Sequence, residues 1–221
     1  MKDSRKQGIL MDLDGTLVDS KEAYMEAAEA AFKSMKQDKY SPEIAIEIPK
    51  RLEQGLPLDG LLEREDVQRF LRIYRDAYLQ ATATKTKPIP NVAETLRKLA
   101  RKAKLALITM RHVPREKVVA ELKSFGIADY FTHVITALDT HRPKPSPEAL
   151  IHCAAKMEVD GCNCIVVGDS VADIRAGKAA GAKTVAVLSG IFSRSELEKE
   201  KPDLILESVN EMPDFLDSLT K

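Results

Sequence analysis

Apolar residues along this chain follow two rhythms. Short uninterrupted apolar stretches recur at Gly8 to Met11, Leu105 to Thr109, around Val134-Ile135-Thr136, at Ile165 to Gly168, Thr184 to Val187, and Leu204 to Leu206. Runs of that length bounded by polar or turn residues predict buried strands. Between them apolar residues return at three- and four-residue steps, as with Val92, Leu96 and Leu99, which predicts helices. One helix starts at Pro114 and stops at Gly126, another starts at Ser146-Pro147-Glu148 with Ser146 as its cap, and a third covers Val171 to Ala180. Ser193 and Glu196 form a capping box, and Asn210 opens the final helix. Strands this apolar, each followed by a helix, predict an α/β fold: a parallel sheet covered by helices on both faces.

The alternation is interrupted once, over residues 20–88. Tyr24, Ala27, Ala28, Ala31, Phe32 and Met35 mark one helix, with Ser20 as its cap, and Val67, Phe70, Leu71, Tyr74 and Tyr78 mark another. Pro42, Pro49, Gly55, Pro57 and Gly60 leave room only for short helical pieces over 41–65, and Ala81 to Pro90 reads as a linker. The expected organisation is a core of residues 1–19 and 89–221 with a small helical domain, 20–88, inserted into it.

Composition narrows the partners. A chain of 221 residues, 44% hydrophobic, has material for one core and a smaller accessory domain. Lys+Arg and Asp+Glu both number 34, so there is no electrostatic footprint for nucleic acid or an anionic membrane, and the basic start, Lys2 to Lys6, reads as a solvated terminus. No apolar run approaches the about 18 residues of a membrane span, and no signal-peptide pattern opens the chain, which predicts a soluble cytoplasmic protein. Cys162-Asn163-Cys164 has the spacing of metal ligands, but neither a second cysteine pair nor the scattered His112, His133, His141 and His152 completes a site. These cysteines and Cys153 read as reduced thiols.

The chemistry gathers at strand ends. Asp12 and Asp14 stand two apart after the first strand and so are expected to share a face. Thr109 ends the second strand, Lys144 follows the third, and Asp169 follows the strand ending at Gly168, with Asp173 four residues on. In open parallel sheets the carboxyl ends of strands are where ligands sit. Several carboxylates without histidine or thiolate make a hard, all-oxygen site suited to Mg²⁺, and a lysine and a hydroxyl beside it suit an anionic phosphoryl group.

Asp12-Leu13-Asp14-Gly15-Thr16, Thr109 at a strand tip, Lys144 in Lys-Pro-Ser-Pro, and Gly168-Asp169-Ser170 followed by Asp173 together resemble the haloacid dehalogenase superfamily. The resemblance is to its phosphoglycolate phosphatase-like branch, with a Rossmann-like core and a helical cap, and it covers the whole chain in order. It implies Asp12 as the nucleophile that forms an aspartyl-phosphate, and Asp14 as the acid/base. Mg²⁺ would be held by Asp12, the Asp14 backbone carbonyl and Asp169, with Asp173 supporting the site by orienting a metal-bound water or Lys144. Thr109, the backbone N–H of Met110 and Lys144 would hold phosphate. Where the branch usually has Ser/Thr-Asn this chain has Thr109-Met110-Arg111, so Arg111 is expected to touch the leaving group. Lys50 and Arg51 in the cap are further candidates for gripping an anionic substrate, and Gly15 to Ser20 would be the hinge. The implied activity is Mg²⁺-dependent hydrolysis of a small phosphomonoester similar to 2-phosphoglycolate. A β-phosphoglucomutase-like phosphomutase, an inorganic pyrophosphatase and a catalytically dead binding module remain as alternatives. The expected partner is a small phosphorylated metabolite, with neither nucleic acid nor membrane, and the chain is expected as a monomer or homodimer.

Overall fold

The structure, a computed structural model, describes residues 7–218; the basic start expected to be a solvated terminus lies outside them. The chain divides into two compact units, one formed by the segments up to Leu17 and from Pro88 onward, the other by Val18–Lys87.

The first unit is built on a six-stranded parallel sheet. In chain order its strands are β1 (Gly8–Met11), β4 (Lys104–Ile108), β5 (Phe131–Ile135), β6 (Cys164–Gly168), β7 (Lys183–Val187) and β8 (Leu204–Leu206). They lie side by side in the order β5-β4-β1-β6-β7-β8. All four residues of β1 and all five of β6 are buried, as expected for central parallel strands. The crossover helices are α4 (Val92–Ala100), α5 (Arg115–Ser124), α6 (Glu148–Lys156), α7 (Val171–Ala179) and α8 (Arg194–Lys199), and α9 (Met212–Ser218) follows the last strand. One core joins Leu10, Ala106 and Val166 of the sheet to Leu150, Cys153 and Ala154 of α6, and another joins Val171 and Ile174 of α7 to Ala186, Phe192 and Leu197. Cys153 and Cys164 are buried core thiols, held neutral because burial pushes them up to about 12 and about 11, while Cys162 is exposed; all three are free.

The sheet order places the site. The chain leaves β1 toward β4 on one side and leaves β6 toward β7 on the other. Neighbouring strands whose connections part in this way open a crevice at their carboxyl ends. Asp12 and Asp169 are the residues that follow those two strands.

The second unit consists of α1 (Lys21–Ser34), α2 (Pro42–Gln54) and α3 (Val67–Lys85) around its own core of Ala27, Ala31, Phe32, Ile48, Phe70 and Tyr74. Phe32 and Phe70 meet edge to face, with ring centroids 4.9 Å apart. Short strands β2 (Val18–Asp19) and β3 (Lys87–Pro88) pair where the chain passes between the units.

Four local expectations are corrected. Residues 41–65 hold a full helix, α2: Ser41 caps it by accepting from the Ile44 N–H at 3.3 Å, Pro42 occupies its first turn, and buried Ala45 and Ile48 carry it through Pro49. Proline there removes one backbone donor, a loss that side-chain burial on the inner face outweighs. The supposed linker from Ala81 belongs to α3 as far as Lys85, because Ala81 and Thr82 are buried and Thr82 bonds back to the Leu79 carbonyl at 2.9 Å. Ser20 precedes α1 without a side-chain capping bond, and Asp19 accepts from the Lys21 N–H at 3.0 Å. Asn210 does not open the last helix; a Ser208/Glu211 capping box leads into it, while Asn210 accepts from Thr95 at 2.6 Å and donates to the Pro90 carbonyl at 2.8 Å.

Candidate active site

The central strand β1 is registered against β4 and β6, with Met11 opposite Leu107 and Val167, and the Asp12 N–H extends the ladder by donating to the Val167 carbonyl at 2.9 Å. The chain then turns: Leu17 N–H bonds the Leu13 carbonyl at 2.8 Å, and Gly15 takes a left-handed φ of 78°. Glycine is required there on a second count, because a Cβ on Gly15 would stand 2.4 Å from Asp169 Oδ2. Thr16 Oγ1 donates to Asp169 Oδ1 at 3.3 Å, which fixes Asp169 against the β1 loop.

Three buried carboxylates, Asp12, Asp169 and Asp173, bring oxygens within 4.8 Å of one another. Asp173 sits in the first turn of α7, where its Oδ2 accepts from Ser170 Oγ at 2.7 Å in a capping box. Its other oxygen accepts from Lys144 Nζ at 2.6 Å. The same ammonium donates to Asp12 Oδ1 at 2.6 Å and to the Ile108 carbonyl at 2.9 Å. A lysine has three donors, and each has a partner here. Burial by itself favours the neutral amine, but Asp12 and Asp173 hold Lys144 protonated well above its usual range. Burial pushes the Asp12 carboxyl up to about 7 against the lowering influence of Lys144, with Asp173 and Asp14 adding to the rise.

That upward push is chiefly the cost of taking a carboxylate out of water, and two acidic neighbours add to it. Acceptor-only oxygens, buried and clustered, fit a hard divalent cation such as Mg²⁺ and offer nothing to a soft one. A cation held among these oxygens would favour the ionised form of Asp12 that burial disfavours.

The two carboxylates of the Asp12-Leu13-Asp14 motif part company. Asp14 remains near enough to act on Asp12 electrostatically, yet its oxygens face Arg111: Nε donates to Oδ2 at 2.8 Å and Nη2 to Oδ1 at 2.6 Å. The strand ends before Asp12, so the alternation that predicted a shared face no longer governs Asp14. The third nitrogen of Arg111, Nη1, is paired with Glu121 on α5. Arg111, the residue expected to touch the leaving group, is thus engaged with two carboxylates of the protein. Thr109 follows β4, is buried, and its Oγ1 accepts from the Arg111 N–H at 3.2 Å; Met110 lies between them at the same strand tip.

Arg51 lies in the helical unit, where Nε donates to Glu47 at 2.8 Å and Nη1 to the Pro57 and Asp59 carbonyls at 3.1 Å each. Those bonds brace the turn after α2.

Two residues escaped the sequence. Glu121 carried a faint signal, since it stands three residues after buried Val118, on the inward side of α5. Gly190 follows β7, and a Cβ there would fall 1.7 Å from Asp169 Oδ2, so its lack of a side chain makes room for that carboxylate. Beside it Ser189 Oγ donates to the Gly15 carbonyl at 2.7 Å.

Fold and site together define an α/β enzyme core whose topological switch point holds a buried carboxylate cluster and a lysine. The model of the haloacid dehalogenase-like hydrolases matches residues 9–187, and the chain belongs to that family. It is 28% identical over 213 residues to a phosphoglycolate phosphatase of Aquifex aeolicus, covering 95% of this chain and 96% of that one. It is 32% identical over 213 residues to pyrophosphatase PpaX of Halalkalibacterium halodurans, covering 95% and 94%. The fold matches that of a haloacid dehalogenase-like hydrolase from Streptococcus pneumoniae with a TM-score of 0.81 at 20% identity, over 96% of this chain and 99% of that one. No helix among the described residues is long and apolar enough to cross a membrane.

Proposed function

We propose that this hydrolase is a Mg²⁺-dependent phosphatase acting on a small phosphomonoester through an aspartyl-phosphate on Asp12. The observation that carries the reading is the Asp12–Lys144–Asp173 chain of contacts beside Asp169, at the switch point of the sheet. A Mg²⁺ ion would be held by Asp12, Asp169 and the Asp14 backbone carbonyl, and when bound it would offset the charge of the phosphoryl oxygens and of Asp12.

The chain's own groups do the rest. Asp12 Oδ attacks phosphorus as the bond to the leaving oxygen breaks, and a leaving alkoxide takes its proton from Asp14. Lys144 keeps Asp12 oriented and puts a fixed positive charge beside the transferring group, whose reaction depends mainly on positioning and charge stabilisation. Thr109 and the Met110 N–H face the phosphate oxygens in this reading. Water then attacks phosphorus, the Asp12–phosphorus bond breaks, and the water proton passes to Asp14.

A panel of phosphomonoesters, with 2-phosphoglycolate and a generic aryl phosphate among them, tests the reading with Mg²⁺ present. Inorganic phosphate is the expected product, and Asp12→Asn abolishes its release. No release from any member, or undiminished release by Asp12→Asn, overturns it. The likeness to pyrophosphatase PpaX puts inorganic pyrophosphate in the same panel, as the competing substrate.

A further inference from the structure

The arrangement around Arg111 reaches beyond that reading while resting on it. A guanidinium has only donors. Arg111 spreads three of its nitrogens over two carboxylates: Nε and Nη2 fork onto Asp14 at 2.8 and 2.6 Å, and Nη1 pairs with Glu121. Its backbone is fixed on both sides, by the N–H donating to Thr109 Oγ1 at 3.2 Å and by the carbonyl accepting from the Ala137 N–H at 3.1 Å. The side chain is only 4% exposed, and the carboxylates of Asp14 and Glu121 are 11% and 15% exposed. A forked pair of this kind sets the plane of a carboxylate as well as its position.

We infer that Arg111, braced by Glu121, is a positioning residue that holds Asp14 as a hydrogen-bond acceptor, and so serves the hydrolytic half of the reaction. Both Asp14 oxygens face N–H donors, so each presents lone pairs toward Arg111. An ionised carboxylate offers about four lone-pair sites, and the fork fixes the plane in which all of them lie. That orientation suits the step in which water oxygen bonds to phosphorus, the Asp12 oxygen leaves, and the water proton needs an acceptor. It contributes little to the first half when the leaving group is a phenolate, which departs without being protonated.

The two halves separate kinetically, because kcat/KM reports phosphoryl transfer to Asp12 while kcat reports breakdown of the aspartyl-phosphate once that step limits. With p-nitrophenyl phosphate and Mg²⁺, Arg111→Ala is expected to lower kcat by about 10- to 100-fold, less than the loss of a proton-transfer group itself, because Asp14 stays in place chemically and loses only its orientation. KM falls in parallel, kcat/KM stays within about 3-fold, and a stoichiometric burst of nitrophenol precedes the steady state. Arg111→Lys keeps the charge but loses the fork, and gives a smaller kcat loss with the same split. Glu121→Gln moves kcat in the same direction by less. A parallel loss of kcat and kcat/KM without a burst, a rise in KM, or an unchanged kcat overturns the inference. A wild-type protein inactive on every phosphomonoester, or an active Asp12→Asn, overturns the proposed function and this inference with it, and is recognised without any Arg111 variant.

Discussion

Lys144 and Asp173 are bonded at 2.6 Å, and each is 3% exposed at its side chain. Asp173 thus does more than start a helix. It shares with Asp12 the one ammonium among the buried polar groups of the described core, and it ties the loop after β5 to the N-terminus of α7.

Replacing Lys144 by Met removes the cation and leaves Asp12 and Asp173 facing each other in a buried site. Breaking a buried pair in this way costs about 3–5 kcal/mol. Urea unfolding of the metal-free protein is expected to show that loss, together with loss of turnover. Adding Asp173→Asn to Lys144→Met should recover part of the stability and none of the activity.

Gly190→Ala pushes a methyl group into Asp169, where a Cβ would fall 1.7 Å from Oδ2. Asp169 must then move. If Mg²⁺ binds as proposed, it should raise the melting temperature of the wild type by mass action, and the expected outcome for the variant is a folded protein that has lost this response. An unaltered Mg²⁺ response would show that Asp169 does not need the space beside Gly190.

The pH dependence of stability follows from Asp12, whose carboxyl burial raises from 3.8 to about 7. The folded protein therefore holds this proton more tightly than the unfolded chain does. Asp12 favours the folded state at low pH, and that contribution drains away as pH rises from about 3.8 to about 7, with no further change above. In metal-free melting experiments the difference between Asp12→Asn and wild type should move in favour of the variant across that window and level off beyond it. A gap independent of pH would mean that Asp12 titrates normally.

Phe32 is 1% exposed and packs edge to face on Phe70 in the helical unit. Phe32→Ala should cost about 3–5 kcal/mol locally. Hydrogen exchange is the measurement of choice: amides of α1 and α3 should exchange faster, and those of β1 and β6, in the other unit, should keep their protection.

Much of this protein is written locally. Ile165 to Gly168 or Thr184 to Val187 can bury both faces only inside a covered parallel sheet, so the apolar runs alone determine the strands and the α/β class. The residues closing those strands, Asp12, Thr109 and Asp169, were legible for the same reason, since a polar side chain directly after a buried strand marks its tip. Helix limits were less legible. Pro49 and the threonines after Ala81 are breakers by local preference, and burial in the helical unit overrides that preference, which no neighbouring residue announces.

Which partner each charge takes was settled only by the tertiary structure. Arg111 and Asp14 are 97 residues apart, and Lys144 and Asp12 are 132 apart. Sequence pattern says which side of an element a residue lies on, whereas pairing depends on which strands become neighbours. Placing β4 and β6 on either side of β1 is what delivers Arg111 to Asp14, Asp169 to the space beside Gly15 and Gly190, and Lys144 to two carboxylates at once.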